Sequence, residues 1–194
     1  ANMVSLYRTD SVGQTTLASS YDTDLGGAAI SSSADRLFIA GGTTGAFLSL
    51  SATDLTTKWQ RPNLSPTGAP WFTSVDLCAD GRVYVGSDDG ILRGYTASDG
   101  TGIFVATLPV NLRSEQSISV NGLLLCTARQ FVTGEQRLLV FQRSSGTLQD
   151  NQVVDLAPVR IFQRDDDHVL LFGNQGGQGH VQDRSIPGGG GWEP

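Results

Sequence analysis

Long apolar runs are missing from this 194-residue chain. No stretch of about 18 apolar residues occurs, so no segment has the length a membrane-spanning helix needs. Positive charge is short as well. Thirteen Lys and Arg stand against 19 Asp and Glu, for a net charge of −6 and a pI near 4.7. Nucleic acid and anionic membrane both select a basic patch, so neither is expected as a partner. Lys58 is the sole lysine. Cysteine is down to Cys78 and Cys126, each inside an apolar run, "SVDLCAD" and "GLLLCTA". They read as two buried free thiols, with a single disulfide left open, because two cysteines make no framework. Histidine is down to His168 and His180, too far along the chain from either cysteine for zinc-ligand spacing. The start, "ANMVSLYR", alternates like a strand and shows no basic-then-apolar leader. The lean charge and single lysine point to an exported bacterial protein, periplasmic or extracellular.

Glycine is plentiful, at 24 residues, while charged residues make up only 16 %. Many glycines between alternating apolar runs describe a turn-rich β protein. One unit recurs. "DGRVYVGSDDGILRGYTASDGTG" has the same order of parts as "DRLFIAGGTTGAFLSLSATDLTTKW" and "NGLLLCTARQFVTGEQRLLVFQRSSGTL". The last apolar residue of the third strand falls at Tyr7, Leu50, Tyr95 and Phe141, which are 43, 45 and 46 residues apart. A multi-strand unit of about 40–50 residues is a propeller blade. The pattern predicts inner strands over 27–33, 71–79, 115–120 and 159–163. Second strands follow at 37–41, 82–87, 123–128 and 169–173, third strands at 46–50, 91–95 and 137–141, and outer strands at 57–61, 102–108 and 148–154. All seven prolines fall between these strands or in the tail, where a missing ladder donor does no harm.

The stretch "RVYVGSDDGILRGYTASDGTG" resembles the repeat of pyrroloquinoline-quinone-type propellers. There a strand ending in Gly-Ser meets an Asp-Gly turn, then a further strand, then Asp-x-x-Thr-Gly and an aromatic. "LSATDLTTKW" carries the last part, with Trp59 in the docking-tryptophan place, and "TDSVGQTTL" is a degenerate copy. The resemblance implies an all-β propeller of four-stranded antiparallel blades, related to WD40-like repeats. It implies the non-catalytic branch, because the adjacent cysteines of the enzymes are missing and 194 residues are too few for eight blades. The chain opens on third and outer strands and closes on inner and second strands. About four blades are therefore expected, the two ends sharing one. The alternative is a fragment or half of a larger ring. Residues 1–186 form the propeller and 187–194, "PGGGGWEP", a glycine-rich tail.

Catalytic signatures are sparse. There is no Gly-x-Ser-x-Gly elbow and no Walker loop. "GNQGGQG" follows no strand-to-helix pattern and reads as a loose turn. "SDDG" and "RDDDH" concentrate carboxylates but lack EF-hand spacing, so no metal and no cofactor are expected. Trp59, Phe104 and Phe38 are expected in the core, Trp71 and Phe72 half-exposed, and Phe131 outside. Turns after second strands and connections between blades share one propeller face, and variable loops on a rigid scaffold carry binding. That face nominates Asp88, Asp89, Arg129, Phe131, Asn174 and Gln175. The expected role is a protein-interaction module or structural subunit, with a protein partner or a second copy. A glycan-binding propeller is the alternative, and a hydrolase, lyase or quinoprotein fragment a second one.

Overall fold

A computed structural model describes residues 2–9, 11–23, 29–33, 35–41, 46–61, 72–165 and 167–186. Every regular element in them is a strand. An amino-terminal hairpin, β1 (Asn2–Thr9) and β2 (Thr15–Thr23), stands as its own sheet. The first blade holds β3 (Ala29–Ser32), β4 (Arg36–Gly41), β5 (Ala46–Ser51) and β6 (Thr57–Arg61). The second holds β7 (Phe72–Leu77), β8 (Arg82–Ser87), β9 (Ile91–Thr96) and β10 (Gly102–Thr107). The third holds β11 (Leu112–Val120), β12 (Leu123–Gln130), β13 (Gln136–Gln142) and β14 (Leu148–Val154). The last holds β15 (Ala157–Gln163), β16 (His168–Gln175) and β17 (Gln178–Ser185). All pairings are antiparallel between chain neighbours, the meander of a β-propeller blade.

The second strands read as near-continuous apolar runs because both of their faces are covered. In β8, Val83 and Val85 join Phe38, Phe47 and Trp59 of the first blade, while Tyr84 points into the core shared with Leu124, Cys126 and Phe141. In β12, Leu123 and Leu125 meet Ile161, Val169 and Leu171 of the last blade. Three apolar cores thus lie between four successive sheets, with the inner strands β3, β7, β11 and β15 side by side.

Turn chemistry repeats with the blades. Leu55, Gly100 and Gly146 occupy the same place before the outer strand, with φ of 61°, 71° and 72°. In each turn the preceding Asp54, Asp99 or Ser145 side chain accepts the amide of Thr56, Thr101 or Thr147, at 3.1, 2.9 and 3.2 Å. Leu55 takes the left-handed conformation without being glycine, and its side chain is buried beside Ile39, Leu48 and Leu50. Trp59 docks as its place in the repeat implies: its indole N–H donates to Ala97 O at 3.0 Å.

Some boundaries differ from the sequence expectation. β11 begins at Leu112 rather than 115, and the inner strands carry a bulge between Phe72 and Ser74, between Ser114 and Gln116, and between Pro158 and Arg160. An extra residue breaks strict alternation, which hides the strand start. The last blade has its own third strand, β17, which the sequence pattern did not predict because "QGHVQDRS" is polar nearly throughout. Its loose turn is a tight one, with Gly176 and Gly177 at φ 62° and 87°. Phe72 is buried rather than half-exposed, because it belongs to the core between the first and second blades with Phe38, Val85 and Tyr95. The 63–69 loop, Trp71 and the 187–194 tail lie outside the described residues.

Candidate functional site

Three connections meet on one face. The 88–90 turn joins β8 to β9, residues 108–111 link the second blade to the third, and the 131–135 turn joins β12 to β13. Backbone bonds stitch them together: Leu108 N donates to Gly90 O at 2.7 Å, and Phe131 N donates to Asn111 O at 2.9 Å. The 131–135 turn is also held from within. Thr133 N donates to Gln130 Oε1 at 3.2 Å, Glu135 N to Thr133 Oγ1 at 3.2 Å, and Arg137 Nε to Glu135 Oε1 at 2.6 Å. A surface fixed in this way loses little conformational entropy when a partner binds.

Two adjoining clefts open on this face. One of about 420 Å3 is lined by Thr73, Arg113, Ser114, Glu115, Arg129 and Phe131. The other, of about 310 Å3, runs from Asp88 and Asp89 past Pro109 and Val110 to Arg113 and Phe131. Arg113 and Phe131 belong to both. The guanidinium carbon of Arg113 lies 4.0 Å from the Phe131 ring centre, a cation–π contact, and its Nη2 lies 4.0 Å from Asp88 Oδ2. Arg113 and Arg129 sit directly opposite each other on β11 and β12. Burial pushes the Glu115 carboxyl up, opposed by a hydrogen bond with Gln136 and by the Arg129 charge. Beside the clefts stand three exposed apolar side chains, Val110 at 84 %, Phe131 at 67 % and Val132 at 75 %.

Of the six nominated residues, four lie around these clefts. Phe131 is central. Asp88 leans on Arg113. Arg129 is a strand residue of β12 beyond the expected end at 128, because the pairing of Arg129 with Gln136 shortens the turn to 131–135. Asp89 is committed inside its own turn. Its Oδ1 accepts from Ser87 Oγ and from Ile91 N at 3.1 Å, and its Oδ2 accepts from Arg93 Nη2 at 3.2 Å. Arg93 is 8 % exposed and also donates to Ser87 Oγ at 2.9 Å. Asp89 therefore anchors a buried guanidinium. Asn174 and Gln175 line neither cleft. Both close β16, and Asn174 Oδ1 accepts from Gly177 N at 2.9 Å within their own hairpin. Sequence reasoning missed Arg113, Glu115 and Thr73, which sit at the bulged starts of inner strands, and missed Val110. The doubled arginines of "LRSE" and "ARQF" were the available signal.

A second polar set joins the inner strands. Asp76 Oδ2 accepts from Ser117 N at 2.9 Å, and Gln116 Oε1 accepts from Ile161 N at 2.9 Å, the same link one blade on. Burial pushes the Asp76 carboxyl up to about 7, against hydrogen bonds from Ser117 and Ser74 and the charge of Arg160. Among the described residues no group of three or more His, Cys, Asp or Glu comes together as a metal site.

No protein-family profile and no curated protein matches the sequence. Solved structures do match in fold. The computationally designed Ika4 protein superposes with a TM-score of 0.63 at 11 % identity, over 85 % of this chain and 94 % of its own. BamB from Moraxella catarrhalis gives 0.59 at 15 % identity, over 94 % of this chain and 48 % of its own. A quinohemoprotein alcohol dehydrogenase from Pseudomonas putida gives 0.54 at 18 % identity, over 71 % of this chain and 22 % of its own. The chain thus spans nearly all of the designed protein, about half of BamB and less than a quarter of the dehydrogenase. These likenesses place the chain among propeller-type repeat folds.

Proposed function

We propose that this propeller is a non-catalytic protein-interaction module or structural subunit, and that its contact surface is the loop face around Phe131. The observation that carries this is the trio of Val110, Phe131 and Val132, held out in water on turns that their own hydrogen bonds make rigid. An exposed aromatic anchor ringed by arginines is the composition of an interface hot spot. The clefts on either side accept side chains from a partner, and Arg113 and Arg129 favour an acidic residue beside an apolar one. The glycan reading needs equivalent pockets blade after blade, yet the corresponding turns begin with Asp88, Phe131 and Gly176. The fold likeness to an alcohol dehydrogenase brings no activity to this chain.

The test is quantitative capture from native extract, comparing the unaltered chain with Phe131→Asp and with Asn174→Ala. The expected result is a stoichiometric companion that is retained by the chain and by Asn174→Ala and lost with Phe131→Asp. Equal recovery with all three chains, or no companion with any of them, overturns the assignment of the surface.

A further inference from the structure

We infer that the trailing flank of the last blade is a docking surface for the amino-terminal hairpin β1–β2 of a second copy of this chain, joined head to tail. The inference concerns the blade flanks and is independent of the loop face. On the following face of each blade, one third-strand position plugs into the next core. It is Phe47, Leu92 and Leu138 in the first three blades, exposed by 0 %, 0 % and 1 %. The register puts Val181 in that place: Val181 lies opposite Phe172, as Leu138 lies opposite Thr127 and Leu92 opposite Gly86. Val181 is 56 % exposed. Around it, Phe162 is 51 % and Phe172 38 % exposed, their rings edge to face at 5.4 Å. This is a blade-packing surface on which no blade lies among the described residues.

The hairpin supplies the matching half. β1–β2 has the bulge of a third-and-outer strand pair. It falls between Leu6 and Tyr7, as it falls between Ser49 and Leu50 and between Val140 and Phe141. Tyr7 is therefore the counterpart of Leu50, Tyr95 and Phe141. Two of those residues show which way the position faces, which is back onto the preceding blade. Tyr95 packs on Phe47 with ring centres 5.3 Å apart, and Phe141 packs on Phe104 at 6.2 Å. Tyr7 and its cross-strand partner Leu17 are 59 % and 55 % exposed, so the chain's own last blade does not cover them. Among the described residues, nothing covers the back-facing pair or the forward-facing trio, and the two complete each other between copies. Repeated twice, this contact closes a ring. Each copy then supplies one flank and one hairpin, and the two contacts are equivalent.

The test is mass by light scattering across a concentration series, with circular dichroism confirming the fold of each variant. The expected mass is twice 20.5 kDa. Val181→Arg and Tyr7→Arg, both at exposed positions, each raise the dissociation constant roughly tenfold or more. Mixing the two variants restores a dimer, because one intact flank then meets one intact hairpin. A Tyr7→Cys, Val181→Cys double variant cross-links between chains on oxidation. A 20.5 kDa species at all concentrations overturns the inference. So does a dimer indifferent to both arginines, which puts the interface elsewhere. So does a cross-link within a single chain, which means the hairpin closes its own ring.

Discussion

Replacing Asp76 by asparagine is expected to stabilise the protein above neutral pH and to leave it nearly unchanged in mild acid. Asp76 sits between inner strands, where burial raises its carboxyl from an ordinary 3.8 to about 7. The groups facing it are the Ser74 hydroxyl, the Ser117 amide and the Arg160 charge. A raised carboxylate means that the folded state holds its proton more tightly than the unfolded chain. The favourable contribution is complete below about pH 4 and is lost as pH rises through about 7. A shift of that size corresponds to about 4 kcal/mol at the limit. Asp76 keeps part of its surface in water, so about 2 kcal/mol is the fitting figure. The amide of the Asp76→Asn variant carries no charge at any pH and still offers an oxygen to Ser117 N. Urea unfolding of both chains at pH 5 and pH 8 reads the difference. Because pH 5 already lies above the ordinary carboxyl value, the unaltered chain should lose about 1 kcal/mol more than Asp76→Asn between these conditions. Parallel pH dependence in the two chains, or a variant weaker at pH 8, refutes the argument.

Three further outcomes follow from the packing. Gly100→Ala combines a φ of 71° with a methyl placed 2.7 Å from the Trp59 ring, and should cost roughly 2–4 kcal/mol in a thermal melt. Indifference to it would mean that the tryptophan dock is soft. Asp89→Ala leaves the Arg93 guanidinium buried without its carboxylate and should cost about 3 kcal/mol, so any binding defect in that variant must be read beside its stability. Denaturant titration checks this. Cys78 and Cys126 are free and buried, with thiols pushed up to about 12 by burial. Both should resist a thiol reagent at pH 8 until the chain unfolds, and rapid reaction in the native state would contradict the core.

Much of the blade pattern was legible because its physics is local. A second strand covered on both faces must be apolar throughout, so "RVYVGS" and "LLLCTARQ" announce themselves. Glycine and Asp–Thr turns mark the hairpins because the left-handed backbone at Gly100 and Gly146 needs them. Less legible were elements whose partners are far away. β17 is polar because among the described residues nothing packs on its outer side, so no alternation marks it. The bulged inner strands lose their period at the residues that build the cleft, which is why the third inner strand was read from Glu115 and Arg113 passed for linker. The site was half legible. Phe131 stood out as an aromatic in a turn, whereas the engagement of Asp89 with Arg93 is set by a rotamer and by burial that spacing does not encode.

The central claim is that the turns around Phe131 form a protein-binding face. Its most direct test is amide hydrogen exchange on the chain alone and in complex with its co-purified companion. The account predicts slowed exchange over 108–113 and 129–135, with the 174–178 hairpin unchanged. Protection confined to other surfaces, with 129–135 exchanging at the same rate in both samples, would contradict it.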